Sequence, residues 1–327
     1  MSWTRALTLF AGALLLASAV LATLGAPTGA PAQRVVITPG MGAGQVAELL
    51  RRRGLIRSGV LLRTLLRLQG AAGAIEAGAY RFSGAQNLWE VAHTLEGGGA
   101  PVTVKVVIPE GYTLRQVERR LRAAGLGSVQ TYHRLFAQAA LSRYARGSLE
   151  GFLFPATYAF TPGEAPEQVV LAMVRRMERE FLPSRLAEAR ALGLSPFAWV
   201  TLASMVQAEA GSNAQMPRVA GVFLNRLRAH MPLQSDPTVA YGLHIPANQL
   251  DYARGDFAKP TPYNTYLLPG LPAGPIDNPG QAALLAVLHP SLTVHGKKAL
   301  YFLVGRHGHL HVTASYAGHL RDLRLYR

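Results

Sequence analysis

The stretch Trp199–Gly211 reads Trp-Val-Thr-Leu-Ala-Ser-Met-Val-Gln-Ala-Glu-Ala-Gly and sets one carboxylate where an apolar face should continue. Trp199, Leu202, Val206 and Glu209 are spaced by threes and fours, which predicts one face of a helix closed by the glycine. A glutamate on such a face loses water. Desolvation disfavours its charged form, so its pKa rises. A carboxyl group still protonated near neutrality is what a general acid requires. The same group could instead pair with an arginine or cap a loop, as buried carboxylates more often do.

Other chemistries fit the chain less well. His307, His309 and His311 alternate, so on a strand they would share a face. They have no cysteine or nearby acid to complete a zinc pattern, and a turn-plus-strand cluster is the preferred reading. There is no G-x-S-x-G elbow, no phosphate loop and no dinucleotide fingerprint. Glycoside cleavage remains. Hydrolysis usually uses two carboxylates, and Asp236 is the best second candidate among Asp236, Asp251, Asp256 and Asp277. Its Asp-Pro pair after Ser235 is also a common way to start a turn.

Composition narrows the field. The 327 residues suffice for two domains. Lys and Arg number 33 against 18 acids, a net charge of +15, and nearly all the basic residues are Arg. Such a balance suits an anionic lipid or an acidic polymer. No nucleic-acid motif accompanies it. The absence of cysteine excludes disulfides, thiolate catalysis and cysteine-ligated zinc.

The elements that must position Glu209 follow from periodicity. Ala6–Leu24 is an uncharged run preceded by Arg5 and long enough to span a bilayer, with the bulk of the chain then outside the cytoplasm. Ala30-Pro31-Ala32 offers the competing reading of a cleaved signal peptide. The retained anchor is favoured because the run exceeds an ordinary signal core. Val35-Val36-Ile37-Thr38-Pro39-Gly40 recurs as Val106-Val107-Ile108-Pro109-Glu110-Gly111, an offset of 71, and Gln45, Gly54 match Gln116, Gly125 at that offset. Each copy predicts strand, glycine turn and helix. A basic helix at Val60–Leu68, a strand at Ala79–Phe82 and a helix at Leu88–Leu95 lie between, which suits a small α+β module. Further on, Gln168–Leu192 reads as one long amphipathic helix, Glu150–Phe160 as an extended segment, and Met216–Arg228 as a helix carrying Asn225. Met231–Gly242 reads as a polar loop. Gln281–Leu288 (helix), Leu300–Val304 (strand) and Tyr316–Leu323 (helix) close the chain. Stiff Pro- and Gly-dense loops carrying Gln234, Asp236, Tyr263, Asn264 and Tyr266 resemble a sugar cleft, where rings stack on sugar faces and amides bond hydroxyls. Ordinary turn chemistry would also explain their Asn, Pro and Gly.

Ordered matches then single out one family. Pro109–Thr113, Leu149–Tyr158, Leu202–Gly211, Phe223–Leu227, Leu233–Gly242, Tyr263–Tyr266 through Gly280, and His289-Pro290 make the chain resemble the MltG/YceG-like endolytic murein transglycosylases. The resemblance implies an α+β architecture: residues 1–33 as membrane anchor and linker, 34–107 as a LysM-like module, and 108–327 as a mixed α/β catalytic domain. It implies cleavage of the MurNAc-β-1,4-GlcNAc bond in nascent glycan strands, leaving 1,6-anhydro-MurNAc ends and terminating strand elongation. The muramic 6-hydroxyl then serves as nucleophile, so one carboxyl group suffices. The family often has an acid where this chain has Gln207, which points to Glu209 as the acid/base. Asn225, Gln234, Asp236, Tyr263, Asn264 and Tyr266 become cleft residues. The tail departs from the family at Leu320, after His319. No metal or cofactor is implied. The implied partners are glycan strands, the membrane through the N-terminal helix, and the wall synthases.

Overall fold

The computed structural model describes residues 18, 22, 25–100 and 102–326. The expected anchor, Ala6–Leu24, lies outside the described residues except for Ser18 and Ala22. No single helix among the described residues is long and apolar enough to cross a membrane. Two compact units emerge, one from the described residues up to Val104 with Ala159–Glu164, the other from Lys105–Tyr158 with the described residues from Ala165 onward.

The first unit runs β1 (Gln33–Ile37), α1 (Ala43–Arg52), α2 (Gly59–Leu68), β2 (Gly78–Phe82) and α3 (Leu88–Glu96). β1 and β2 are antiparallel, with Val35 opposite Tyr80. Val35 and Ile37 point inward with Tyr80 and Phe82, and the helices cover them with Val46, Leu50, Leu62, Leu66, Val91 and Leu95. Caps fix the helix starts: Ser58 accepts from the Leu61 amide, and Asn87 forms a reciprocal box with Glu90.

The chain leaves this unit through β3 (Val104–Val107). The second copy of the repeat follows. α4 (Leu114–Ala123) starts as α1 does: Gln116 reaches back to the Thr113 amide as Gln45 reaches back to that of Gly42. Gly40 and Gly111 both hold positive φ, at 86° and 75°, so the repeat persists in the backbone. Next come α5 (Val129–Phe136) and β4 (Thr157–Phe160). Only that last part of the expected extended segment Glu150–Phe160 is a strand.

The single helix expected over Gln168–Leu192 is two, α6 (Pro166–Glu178) and α7 (Pro183–Ala191). Leu182 precedes a proline and is extended (φ −63°, ψ 146°). Proline disfavours the helical geometry of its predecessor and lacks the amide that would continue the ladder. Buried Glu180 sits at the break and pairs with Arg176 and Arg185.

α8 (Pro196–Glu209) is the axis of the second unit. Ser195 caps it and Pro196 opens it. Every residue from Trp199 to Val206 is buried, so the apolar stripe read from the sequence is one part of a helix with no polar face. α9 (Met216–Arg228) and α11 (Gln281–Leu288) pack beside it, contributing Val222, Phe223, Leu284 and Val287. The Trp199 indole N–H donates to the Leu284 carbonyl at 2.8 Å. α8 ends without a left-handed glycine: Ala210 is extended, and the Gly211 amide donates to the Gln215 side chain.

Between α9 and α11 the expected loop holds α10 (Asp236–Leu243). Asp-Pro sits in its first turn, where proline costs nothing because that amide has no helical partner. After α11 come the short pair β5 (Thr293–Val294) and β6 (Lys297–Lys298), then β7 (Tyr301–Val304), β8 (Leu310–Thr313) and α12 (Tyr316–Tyr326). β7 and β8 are antiparallel.

One close approach tests this packing. A Cβ added at Gly221 on α9 would stand 1.9 Å from the Ser291 carbonyl oxygen. Helix propensity favours Ala over Gly by about 1 kcal/mol. Overpacking a filled core costs about 1–3 kcal/mol. Gly221→Ala is therefore expected to lose up to about 2 kcal/mol in urea unfolding, and a variant more stable than the parent would refute the contact.

Candidate active site

Glu209 is the last residue of α8, so its carboxyl emerges where the core ends, half-buried. Burial pushes its pKa up to about 7, and the neighbouring Asp236 adds to the rise. Two groups oppose this: the Ser235 hydroxyl, which donates to Glu209 Oε1 at 2.6 Å, and the Arg226 guanidinium. Desolvation wins, as expected for a carboxyl with one strong donor and no direct ion pair. Gln207 points to a different neighbour. Its Oε1 accepts from the Gly280 amide at 3.0 Å and ties α8 to the loop before α11.

The loop that brings Ser235 to the acid is held at many points. The Gln234 amide donates to the Thr265 carbonyl, and the Ser235 amide to the Thr265 hydroxyl. The Thr238 hydroxyl donates to the Ser235 carbonyl at 2.6 Å. Gln234 adopts φ +51°, a left-handed conformation that side chains resist, and these bonds retain it. Arg226 is 8% exposed and donates to the carbonyls of Leu300 and Leu233. Its Nη1 also reaches Gln234 Oε1 at 3.4 Å. It thus brings a fixed positive charge to the acid without bonding to it.

Glu209, Arg226, Gln234, Asp236 and Tyr266 line one cleft of about 400 Å³. Asp236 Oδ1 accepts from the Tyr266 hydroxyl at 2.6 Å. The far wall is Phe302, Leu303, Tyr316 and His319. Tyr252, at the lip, stacks on Phe257 at 4.0 Å and leaves its outer face to solvent. Tyr316 is likewise exposed, and its ring leans on Tyr301. Open aromatic faces around a polar floor suit the apolar faces and hydroxyl edges of sugar rings.

Of the residues anticipated as cleft-lining, Gln234, Asp236 and Tyr266 meet Glu209 here. Asn225, Asn264 and Tyr263 do not line it. The Asn225 amide is committed to the Leu292 and Ala299 carbonyls. Fully buried Asn264 donates to Phe257 and Lys259 and shapes the loop that carries Tyr266. Tyr263 packs on Tyr241 with ring centres 4.7 Å apart. The sequence does not single out Ser235, Arg226, Tyr252, Tyr316 or His319. Ser235 and Arg226 adjoin two anticipated residues and lie in the family-like stretches Leu233–Gly242 and Phe223–Leu227, which is the signal they give. Among the described residues no group of three or more His, Cys, Asp or Glu could hold a metal. His311 instead stacks on Tyr326 at 3.7 Å.

Comparison with known proteins adds an independent line. The model of the YceG-like family matches residues 35–324. The endolytic murein transglycosylase of Bacillus subtilis is 28% identical over 313 residues, covering 89% of this chain and 83% of that protein. That of Streptococcus pneumoniae serotype 2 is 27% identical over 302 residues, covering 82% of this chain and 53% of the longer relative. A crystal structure of a yceG-like protein from Listeria monocytogenes superposes with a TM-score of 0.57 at 27% identity, covering 89% of this chain and 99% of that one.

The electrostatics of the acid can be measured directly. The Glu209 carboxyl is expected to titrate near pH 7 by carbon-detected NMR. Ser235→Ala removes a donor to the carboxylate and should move the midpoint up, while Asp236→Asn removes a like charge and should move it down. A midpoint near the ordinary 4.5 would refute the desolvated site.

Proposed function

Because this chain belongs to the YceG-like family, we propose that it is a lytic transglycosylase of peptidoglycan with Glu209 as its single acid/base. The observation that carries the reading is the placement of the Glu209 carboxyl, at the end of a buried helix in an aromatic-lined cleft where burial pushes its pKa up to about 7. The names of the relatives from Bacillus subtilis and Streptococcus pneumoniae support the same activity.

The chemistry needs one carboxyl group. Glu209 donates its proton to the glycosidic oxygen as the MurNAc–GlcNAc bond breaks. The anomeric carbon gathers positive charge, which the nearby Asp236 carboxylate favours. The 6-hydroxyl of the same muramic residue attacks that carbon and gives its proton to Glu209, which returns to its starting state. A 1,6-anhydro end forms and no water is consumed. Asp236 is already engaged by Tyr266, which suits an electrostatic role better than activation of water. Ser235 holds the carboxyl in one orientation through both proton transfers.

The apolar run before residue 25 and the net charge of +15 support an outward-facing enzyme anchored in the cytoplasmic membrane. There it meets nascent strands beside their synthases and ends their elongation. The first unit would be a LysM-like spacer, as its strand–helix–helix–strand order supports. Immunoblots of membrane and soluble fractions test the anchor, since a shortened soluble product would overturn it.

The activity is tested with purified glycan strands and mass spectrometry of the ends. Glu209→Gln should reduce release of anhydro ends by about 10²–10⁴-fold, the usual contribution of a general acid/base. Asp236→Asn should retain anhydro products. Activity should fall as pH rises through about 7, because the acid must begin protonated. Reducing ends in place of anhydro ends would establish a hydrolase and overturn the proposal.

A further inference from the structure

The second unit holds another cavity, of about 440 Å³, between the first turns of α4 and the C-terminal end of α10. Its floor is Glu150, which is 4% exposed. That carboxyl is satisfied internally. It accepts from the Leu114 amide at 3.0 Å, from the Tyr241 hydroxyl at 3.0 Å and from the Asn278 amide at 3.2 Å. Burial raises its pKa to about 8, so it brings little negative charge to the cavity at neutrality. The sign of the groove is set by its rim. Arg115 and Arg119 stand one helical turn apart on α4, both exposed, and neither makes an ion pair among the described residues. Arg122 of the same helix, by contrast, is paired with Glu118. The opposite wall is Tyr241 and His244, with Ile245 and Pro246 supplying an apolar strip. Two unpaired guanidinium groups on the rim of a groove whose floor is already satisfied are built for a carboxylate, which they can grip with paired N–H donors.

The groove is tied to the cleft by α10. Asp236, its first residue, lines the cleft; Ala240 and Tyr241 line the groove. Four to five helical residues separate them, roughly 6–8 Å along the axis. A branch leaving a sugar bound in the cleft can span that distance. In peptidoglycan the branch is a peptide on the lactyl group of muramic acid, the residue whose anomeric carbon reacts. It carries free carboxylates.

We propose that the groove between α4 and α10 is a subsite for the peptide stem of the substrate, with Arg115 and Arg119 gripping its carboxylates. This rests on the reading of the Glu209 cleft as a glycan site. It makes the stem a determinant of which strands are cut.

The test compares two substrates on the full-length protein: uncross-linked glycan strands bearing peptide stems, and the same strands stripped of stems by an amidase. The parent should cut stem-bearing strands with about tenfold or greater advantage in kcat/KM, carried mainly by KM. The double variant Arg115→Ala/Arg119→Ala should erase that advantage and leave cleavage of stripped strands unchanged. Arg115→Glu/Arg119→Glu should invert the preference. Both arginines are exposed, so folding is not at stake, and melting curves check that. An absence of preference in the parent, or a preference that survives both variants, overturns the subsite. Equal losses on both substrates also overturn it, and assign the arginines to the strand in general. If the parent cuts neither substrate, the glycan reading itself falls, a result distinct from the others.

Discussion

A helix without a polar face has only its ends for chemistry. α8 is buried from Trp199 to Val206, and its first water-facing carboxyl is the one at its end. That placement produces the raised pKa of Glu209. The group stands against the core, where its charge is poorly solvated, and at the carbonyl end of a helix dipole, which resists negative charge further. The rest of the site moderates this. Ser235 and Arg226 pull the pKa down, Asp236 pushes it up, and the balance lies close to neutrality.

Those moderating groups are held mainly by hydrogen bonds between loops. Thr265 accepts from the Gln234 and Ser235 amides, so the segment before α10 and the segment bearing Tyr266 are one assembly. Asn264 and Asp256 fasten the same assembly from behind, with Asp256 taking Arg254 and Lys259 as partners. A long connection with little regular structure can thus be rigid, because its buried polar groups are satisfied by its own backbone. The left-handed Gln234 is retained within that network.

How much of this is legible in the sequence differs by element. α8 is written in its Ser195-Pro196 start and its apolar run, α11 in a short apolar run, α9 in a hydrophobic period, and the paired strands of the first unit in their β-branched and aromatic residues. The split of α6 from α7 is also written, in Leu182-Pro183, but the amphipathic period runs across it and masks the break. α10 reads as a loop because Asp-Pro signals either a turn or a first helical turn, and only packing decides. Glu209 stands out as a carboxylate on an apolar helix face, and Gln234, Asp236 and Tyr266 because their residue types suit a polar cleft. Asn225 and Asn264 share those types yet serve the backbone; an amide suits either use, and no local pattern separates them. Ser235 and Arg226 escape notice because their roles exist only across tertiary contacts, such as the 26-residue gap between Ser235 and Glu209.

The indole of Trp199 has a consequence beyond packing. Its bond to the Leu284 carbonyl pins α8 lengthwise against α11. The 10 residues from that pin to Glu209 form a stiff spacer of roughly 15 Å. The acid is therefore set like the tip of a gauge whose zero mark lies deep in the core. Core substitutions that slide the gauge by a fraction of an ångström would retune the proton affinity of a group they never touch. Evolution could in this way shift the proton affinity of Glu209 without altering a single residue of the cleft.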